Sequence, residues 1–446
     1  MSKSRAKLGA SYWKLWSATA ISNLGDGVSM IAYPWLASAV TRSPFLIALS
    51  GMLSRLPWLI FSLPAGVITD RYDRKKIIVA MDSLRGLLTV AVAAIVFIKA
   101  DSLPRLNELT TITDLQTNWA LFITISIAAF LFGLAEVLRD NSAQTFMPSV
   151  VEEEHLEKAN GQMWSAESLT NSFIGPPLGS FLIGIAVFIP FFFDATSFFV
   201  ATALIASIAT ITPVNSHQKA QPTTVAKRSF RKEIKEGFAW LWAHELLRPM
   251  AIILGTLNFV GTLAGAGFIL FAQEILHTSV LQFAVLGTAG AVGGMLGGLV
   301  APKISKKIGS GPSLWLTLGL GPIIELIIGL SSSWYIVWLL SAIATLTAVL
   351  WNVITVSLRQ SIIPSHLLGR VNSVYRFFAW GTIPLGALVA GVTMTAVQHL
   401  IDREWGLRAP YLLSAAFGAI LFFFATPQLT TEKLEAARSA AKGESH

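Results

Sequence analysis

One carboxylate, Asp26, lies about halfway along the first long apolar segment of the chain. At helical spacing it shares a face with Ser22, Ser29 and Tyr33. If this segment crosses a membrane, a charge at its centre costs about 2.5–3.5 kcal/mol, so it is expected to face a cavity or a partner. We predict that Asp26, with Asn23 one turn earlier, handles protons or substrate. The alternative is an aspartate that only holds a neighbouring helix by a hydrogen bond.

Arg55 is the second unusual charge, because it lies midway along the next apolar segment, beside Pro57. It could neutralise Asp26 or another acid, or attract an anionic substrate. We favour a structural ion pair. Asp82 and Arg85 are three residues apart near the end of a later segment, and they are expected to pair locally.

Polar residues also recur at helical spacing in several later segments. The groups are Glu167 with Asn171, Asn258 with Thr262 and Gln273, Asn352 with Thr355 and Arg359, and Asn372 with Arg376. Each group could line a cavity, and each single member could instead form an interhelical hydrogen bond. We take Glu167, Asn258, Asn352 and Arg376 as candidate cavity residues.

The elements that must position these residues are strongly apolar. Of 446 residues, 53% are hydrophobic and 13% are charged, whereas soluble domains carry about 25% charged residues. The predicted fold class is therefore an all-α polytopic membrane protein. Segments long enough to cross a hydrocarbon core ~30 Å thick lie near 12–40, 44–66, 77–99, 118–139, 160–185, 187–211, 248–275, 279–301, 312–330, 334–358, 370–396 and 408–426. We predict twelve transmembrane helices.

The net charge of +8 comes from short basic clusters between the apolar segments. This distribution is typical of membrane topology and argues against a nucleic-acid partner. One side of the membrane receives most of the basic residues: Lys3, Arg5, Lys7, Lys14, Arg71, Arg74, Lys75, Lys76, Lys303, Lys306 and Lys307. Lys and Arg accumulate on the cytoplasmic side. We therefore expect a multi-pass protein of the plasma (inner) membrane with both termini in the cytoplasm.

The longest connection, 212–247, divides the predicted helices into two groups of six. The predicted domains are an N-terminal half over 1–211, this cytoplasmic linker, and a C-terminal half with a cytoplasmic tail over 248–446. The linker begins as a polar, Pro-containing segment. Its later part carries apolar residues every fourth position from Phe230 to Trp242, which predicts an amphipathic helix at the membrane surface.

The two halves share a sequence pattern. Residues 66–76 and 298–307 each place a glycine ahead of a basic cluster at matching offsets. Such internal repeats are common in secondary transporters. The first copy resembles the signature loop of the major facilitator superfamily, G-x-x-x-D-R-x-x-R-K, through Gly66, Asp70, Arg71, Arg74 and Lys75.

Further motifs resemble the drug:proton antiporter branch of that superfamily, which contains macrolide-efflux and enterobactin-exporter proteins. These motifs are Asn23-Leu-Gly-Asp26-Gly, Arg55-Leu-Pro57, Asp82-x-x-Arg85 and Asp194-Ala-x-Ser197-Phe198. The resemblance implies two six-helix pseudo-repeats and a gating network that joins the signature loop to Glu136 and Arg139. The sequence departs from the family pattern at Pro302, where the first loop copy has Asp70.

Several function classes lack support in the sequence. There is no cysteine, no His-x-x-x-His pair and no phosphate-binding Walker motif. We therefore expect no metal, no cofactor and no enzymatic activity. The resemblance implies secondary transport with alternating access, and we expect proton-driven export of a small hydrophobic or amphipathic, drug- or siderophore-like compound. The alternatives are an importer or lipid or lysolipid translocator of the same fold, and a non-transporting membrane receptor; the oligomeric state is open, and a monomer is plausible.

Overall fold

The computed structural model describes residues 8–105, 108–151, 155–208, 230–364 and 367–443. Within these ranges, several helical residues are described by their backbone alone. Among them are Gly66, Asp70, Arg71 and Arg376.

The described residues form helices and no strand, which confirms the predicted all-α class. The helices are α1 (Ala10–Val40), α2 (Pro44–Arg71), α3 (Arg74–Ile98), α4 (Trp119–Phe146), α5 (Leu156–Glu167), α6 (Gly175–Ile185), α7 (Ile189–Ala206), α8 (Phe230–Ala243), α9 (Leu247–Gly265), α10 (Phe268–Glu274), α11 (Val280–Ile308), α12 (Ser310–Leu330), α13 (Trp334–Ile362), α14 (Leu368–Gly381), α15 (Ile383–Leu400), α16 (Arg403–Ala425) and α17 (Thr431–Gly443). A π-helical segment, Ser168–Ile174, joins α5 to α6.

Within the described ranges, 10 helical segments are long and apolar enough to cross a membrane, so the predicted number of twelve is not reproduced. The two predicted spans outside this set are 12–40 and 160–185. The first is the 31-residue α1, whose apolar character is diluted by Asn23, Asp26 and several serines. The second is divided among α5, the π-helical segment and α6. Polar residues in a spanning helix lower its hydropathy, and functional sites need such residues.

The described helices belong to two compact units. Unit 1 comprises Met1–Arg42, Leu53–Thr224 and Thr278–Thr288, and unit 2 comprises Ser43–Met52, Val225–His277 and Ala289–His446. The division into halves over 1–211 and 248–446 stays a prediction.

Unit 1 is built around α1 and α3, which both pack against α7, while α3 also packs against α4. At one end, an apolar cluster includes Tyr12, Ile78 and Ile205, all fully buried. Helix α1 approaches α6 closely enough that glycines are required where the two helices touch. A Cβ at Gly179 would lie 2.6 Å from the carbonyl oxygen of Val28. Small residues let helix backbones approach in this way in membrane proteins.

Replacing Gly27 with alanine is expected to destabilise the protein by about 1–3 kcal/mol or more, because it overpacks a rigid interface between helices. The new Cβ would meet the carbonyl oxygen of Asn171 and lie 2.9 Å from the Cα of Gly175. Backbone atoms cannot rotate away. Thermal unfolding of the purified protein in detergent measures the loss. Gly184→Ala in α6 is the matched control, since its Cβ meets nothing within 4 Å; equal stability of the two variants would contradict the prediction.

In unit 2, α12 packs against α16, and α15 against α9 and α16. The linker helix α8 packs on α14, where the rings of Phe238 and Trp242 lie 6.2 and 6.1 Å from the ring of Phe378. Arg370 in α14 forms an ion pair with Glu236 at 2.9 Å. The described part of the predicted amphipathic helix thus packs against α14 within unit 2.

Candidate functional site

A cluster of charged residues lies within unit 1, where α1, α3 and α4 meet. Arg85 of α3 donates from Nη2 to Asp26 Oδ1 at 2.8 Å and lies 3.4 Å from Asp82 Oδ1 through Nη1. The same Asp82 oxygen lies 3.5 Å from Nε of Arg139, which also pairs with Asp140 at 3.2 Å. Two guanidinium groups therefore share one buried carboxylate. We call Asp26, Asp82, Arg85, Arg139 and Asp140 the charge cluster.

Aromatic rings hold the guanidinium of Arg85 in place. Its Cζ lies 4.5 Å from the ring centroid of Phe132 in α4 and 4.2 Å from that of Phe198 in α7. Rings beside a guanidinium attract its positive charge, and more strongly where water is excluded. The side chain of Arg85 is 4% exposed, whereas that of Asp26 is 25% exposed. Asp26 is therefore the accessible member of this ion pair.

A further carboxylate, Asp194, lies on the α7 side of the site. It is fully buried, and its Oδ2 accepts a hydrogen bond of 2.6 Å from Ser29 of α1. Its Oδ1 has no hydrogen-bond partner among the described residues. A Cβ on Gly25 would lie 2.5 Å from this Oδ1 and would also meet the hydroxyl of Ser197. The missing side chain at Gly25 is what makes room for the carboxylate.

The structure brings together some of the predicted site residues but not all of them. Asp26 and Arg139 belong to the charge cluster. Arg55 is exposed and forms no salt bridge with Asp26. Its helix packs on α4 through Ser54 and Pro57, which face Gly133. The cation paired with Asp26 is therefore Arg85.

The other polar candidates occupy separate positions. Asn23 donates to the carbonyl oxygen of Thr19 at 2.9 Å, and Asn352 to that of Ala348 at 3.1 Å, each within its own helix. Asn258 joins α9 to α14 through the carbonyl oxygen of Ala379 at 2.7 Å. Glu167 is exposed next to the π-helical segment. The side chain of Arg376 lies outside the described residues, so its predicted cavity role stays a prediction.

The predicted gating network is only partly described. The side chains of Asp70 and Arg71, and Gly66, lie outside the described residues. Lys75 donates to the carbonyl oxygens of Ala206 and Ile208, both at 2.8 Å. It thereby satisfies carbonyl groups at the end of α7, where a cation is favoured by the helix dipole. The signature loop is thus tied to the helix that carries Asp194.

In α4, Glu136 is half-buried, and Arg139 lies one turn later in the charge cluster. Arg74 is the first residue of α3, directly after Asp73, which caps the helix by accepting from the backbone N–H of Lys76 at 3.1 Å. The gating role of these residues stays a prediction.

Sequence reasoning missed the central position of Arg85 and the importance of Asp194. The pair Asp82–Arg85 was expected to be local, and the structure connects it to α1 and α4. The sequence did contain an indication that Asp194 is a site residue, because it is the sole charged residue between Pro190 and Ala206 in an otherwise apolar helix. An isolated carboxylate in such a segment marks a functional site by default.

Comparison with known proteins identifies the family. The sequence profile of the Major Facilitator Superfamily matches residues 15–387. The chain belongs to this superfamily. It is therefore a multi-pass membrane transporter, and the predicted recognition is confirmed.

The relatives of this facilitator include several exporters. It is 24% identical over 408 residues to the multidrug efflux pump Tap of Mycobacterium tuberculosis, covering 89% of this chain and 88% of the relative. It is 23% identical over 387 residues to macrolide efflux protein A of Streptococcus pyogenes, covering 85% and 88%. It is 24% identical over 395 residues to the enterobactin exporter EntS of Citrobacter koseri, covering 87% and 86%.

A solved structure supports the fold of this facilitator. The inward-facing structure of a bacterial homologue of the iron transporter ferroportin superimposes with a TM-score of 0.68, covering 94% of this chain and 100% of that one at 14% identity. Among the residues described in this facilitator, no group of three or more His, Cys, Asp or Glu side chains is arranged to hold a metal ion. The charge cluster contains three carboxylates and two guanidinium groups, so its carboxylates outnumber its cations.

Proposed function

We propose that this major facilitator transporter exports a small hydrophobic or amphipathic compound, of drug-like or siderophore-like chemistry, in exchange for protons. The observation that carries the proposal is the charge cluster with its fully buried neighbour Asp194. Asp26, Asp82, Asp140 and Asp194 face only two cations among the described residues, Arg85 and Arg139. A buried charge without a partner is costly, so such a group tends to gain or lose a proton instead.

Protons can supply enough energy for this task. Moving one positive charge inward yields about 2.3 kcal/mol per 100 mV, and one pH unit adds about 1.4 kcal/mol. With 100 mV and one pH unit together, one proton can therefore sustain an outward gradient of substrate of roughly several hundredfold. The known exporters among the relatives support the outward direction, since Tap, macrolide efflux protein A and EntS are each named for efflux or export.

The proposed setting is the plasma membrane, with both termini in the cytoplasm and transport by alternating access. The basic residues around 71–76 and 303–307 support this orientation. The apolar stretches of the described helices leave large side chains such as Phe181, Leu299 and Phe423 exposed, as a lipid-facing surface requires.

The test is accumulation of a panel of dyes and antibiotics in cells that lack their own pumps. Expressing cells are expected to hold several-fold less compound than empty-vector cells, and a protonophore should remove the difference. Higher accumulation in expressing cells would indicate import. Equal accumulation across the panel would exclude broad drug export and leave a dedicated siderophore, metabolite or lipid as the substrate, or a receptor that does not transport.

Transport in reconstituted vesicles identifies the coupling ion independently of the range of substrates. With a substrate from that panel, an imposed pH gradient is expected to drive transport, while a sodium gradient at equal pH is not. Transport driven by sodium alone would contradict proton antiport.

A further inference from the structure

We propose that Asp194 carries the exchanged proton, and that it is protonated in this structure. The proposal rests on the proposed proton antiport and adds a residue to it. It was Asp26 that the sequence pattern favoured for this role. In the structure the two carboxylates have different partners. These partners favour Asp194, and not Asp26, as the residue that carries the proton.

Asp26 has a cation at hydrogen-bond distance. Its Oδ1 accepts from Arg85 at 2.8 Å. Asp82 likewise lies between Arg85 and Arg139, at 3.4 and 3.5 Å. Charge-assisted contacts of this kind stabilise the ionised carboxylate. Both groups are therefore expected to be ionised in this structure.

Asp194 has no cation at hydrogen-bond distance among the described residues. It is fully buried, and it forms no salt bridge with a described cation. One hydroxyl, that of Ser29, donates to Oδ2 at 2.6 Å, while the hydroxyl of Ser197 donates to the backbone carbonyl of Asp194 at 2.7 Å. Oδ1 is left without a partner among the described residues. An ionised carboxylate in this setting would keep a buried, unpaired charge, and protonation removes it.

The groups facing Asp194 come from the helices packed against α7. Helix α1 contributes Asp26 and Tyr33, and the ring of Tyr33 meets that of Phe191 edge-to-face with ring centroids 5.0 Å apart. Helix α3 contributes Arg85, whose guanidinium lies 4.2 Å from the ring of Phe198, one turn beyond Asp194. Arg85 is the one cation among these groups, and its hydrogen bonds go to Asp26 and Asp82.

In this arrangement, transfer of the proton is coupled to a change in which aspartate Arg85 contacts. If the Arg85–Asp26 bond opens, Arg85 can move toward Asp194 and stabilise its ionised form. Asp194 then releases its proton to the Asp26 carboxylate, which becomes a neutral carboxyl. The net charge of the pair does not change in this step, because one proton moves from one aspartate to the other. Asp26, the more accessible of the two, then exchanges that proton with water.

Infrared spectroscopy tests the protonation directly, without a substrate. The purified wild type near neutral pH is expected to show the carbonyl-stretch band of a buried, protonated carboxyl. Relative to the wild type, the band should lose intensity in Asp194→Asn and stay unchanged in Asp101→Asn, whose side chain is exposed in the turn after α3. A wild type without the band, or a band of undiminished intensity in Asp194→Asn, would overturn the proposal. Asparagine mimics the neutral carboxyl and keeps the bond from Ser29, so this variant is expected to fold.

Transport in reconstituted vesicles tests the role of that proton. Asp194→Asn should lose accumulation driven by a pH gradient while it still exchanges labelled for unlabelled substrate at equal pH, because exchange needs no net proton movement. Full pH-driven accumulation in Asp194→Asn, with a proton-driven wild type, would overturn the role of Asp194 and leave the proposed function standing. A wild type that does not respond to the pH gradient would overturn both.

Discussion

Replacing Arg85 with methionine is expected to lower the free energy of unfolding by about 3–5 kcal/mol, the usual cost of removing one partner from a buried ion pair. The substitution leaves Asp26 without its bond of 2.8 Å and leaves Asp82 with Arg139 alone. It also removes the cation between Phe132 and Phe198. Methionine fills a similar volume, so the loss reports the charge and not a cavity. Chemical unfolding of the purified protein in detergent measures it.

The matched control is Arg105→Met, which removes an arginine from an exposed loop. Its effect is expected to stay within about 0.5 kcal/mol. The stability loss of Arg85→Lys should lie between those of Arg85→Met and Arg105→Met. An ammonium group keeps the positive charge, but it lacks the planar, several-donor guanidinium that contacts both carboxylates. Equal stability of Arg85→Met and the control would show that the carboxylates are neutral and that the charge cluster is not held by Arg85.

Replacing Asp26 with asparagine is expected to abolish coupled export and to leave the protein folded. In the proposed cycle, Asp26 receives the proton from Asp194, and an amide cannot do so. The outward gradient should fall from roughly several hundredfold to none. The stability loss should stay below about 3 kcal/mol, because the amide oxygen still accepts from Arg85 and Asp82 keeps Arg85 paired. Drug accumulation in cells and thermal unfolding of the purified variant provide the two measurements.

Asp114→Asn serves as the control, since it removes an exposed carboxylate from the loop before α4. Its accumulation should match that of the wild type. Wild-type export by Asp26→Asn would remove Asp26 from the transport cycle. A variant that fails to fold would instead assign Asp26 a structural role beside Arg85.

The sequence alone was sufficient for the fold class and for the family. Apolar segments of spanning length force the backbone to satisfy its hydrogen bonds within each segment, and a helix does this locally. The motif around Gly66–Lys75 is likewise a contiguous pattern, so the recognition needed no tertiary information. Asp26 stood out for a related reason, because the cost of a charge in an apolar segment depends on its immediate surroundings.

Ion-pair partners could not be predicted in the same way. Arg55 and Arg85 are both single arginines in or near apolar helices, and nothing local distinguishes them as a partner for Asp26. The choice depends on which helix faces pack: Pro57 lies against Gly133 and leaves Arg55 exposed, whereas α3 directs Arg85 between α1, α4 and α7. The same holds for Asp194, whose position depends on the absence of a side chain at Gly25, 169 residues earlier in the chain (194 − 25).

By itself, then, the sequence determined that this chain is a helical membrane protein of the major facilitator superfamily with a carboxylate in its first helix. The tertiary structure decided which cation neutralises that carboxylate, and that the buried Asp194 has no paired cation among the described residues. The physical reason is the distance along the chain over which each effect acts. Hydropathy and helix formation depend on neighbouring residues. A buried charge is instead stabilised by side chains that the packing of sequence-distant helices brings within hydrogen-bond distance.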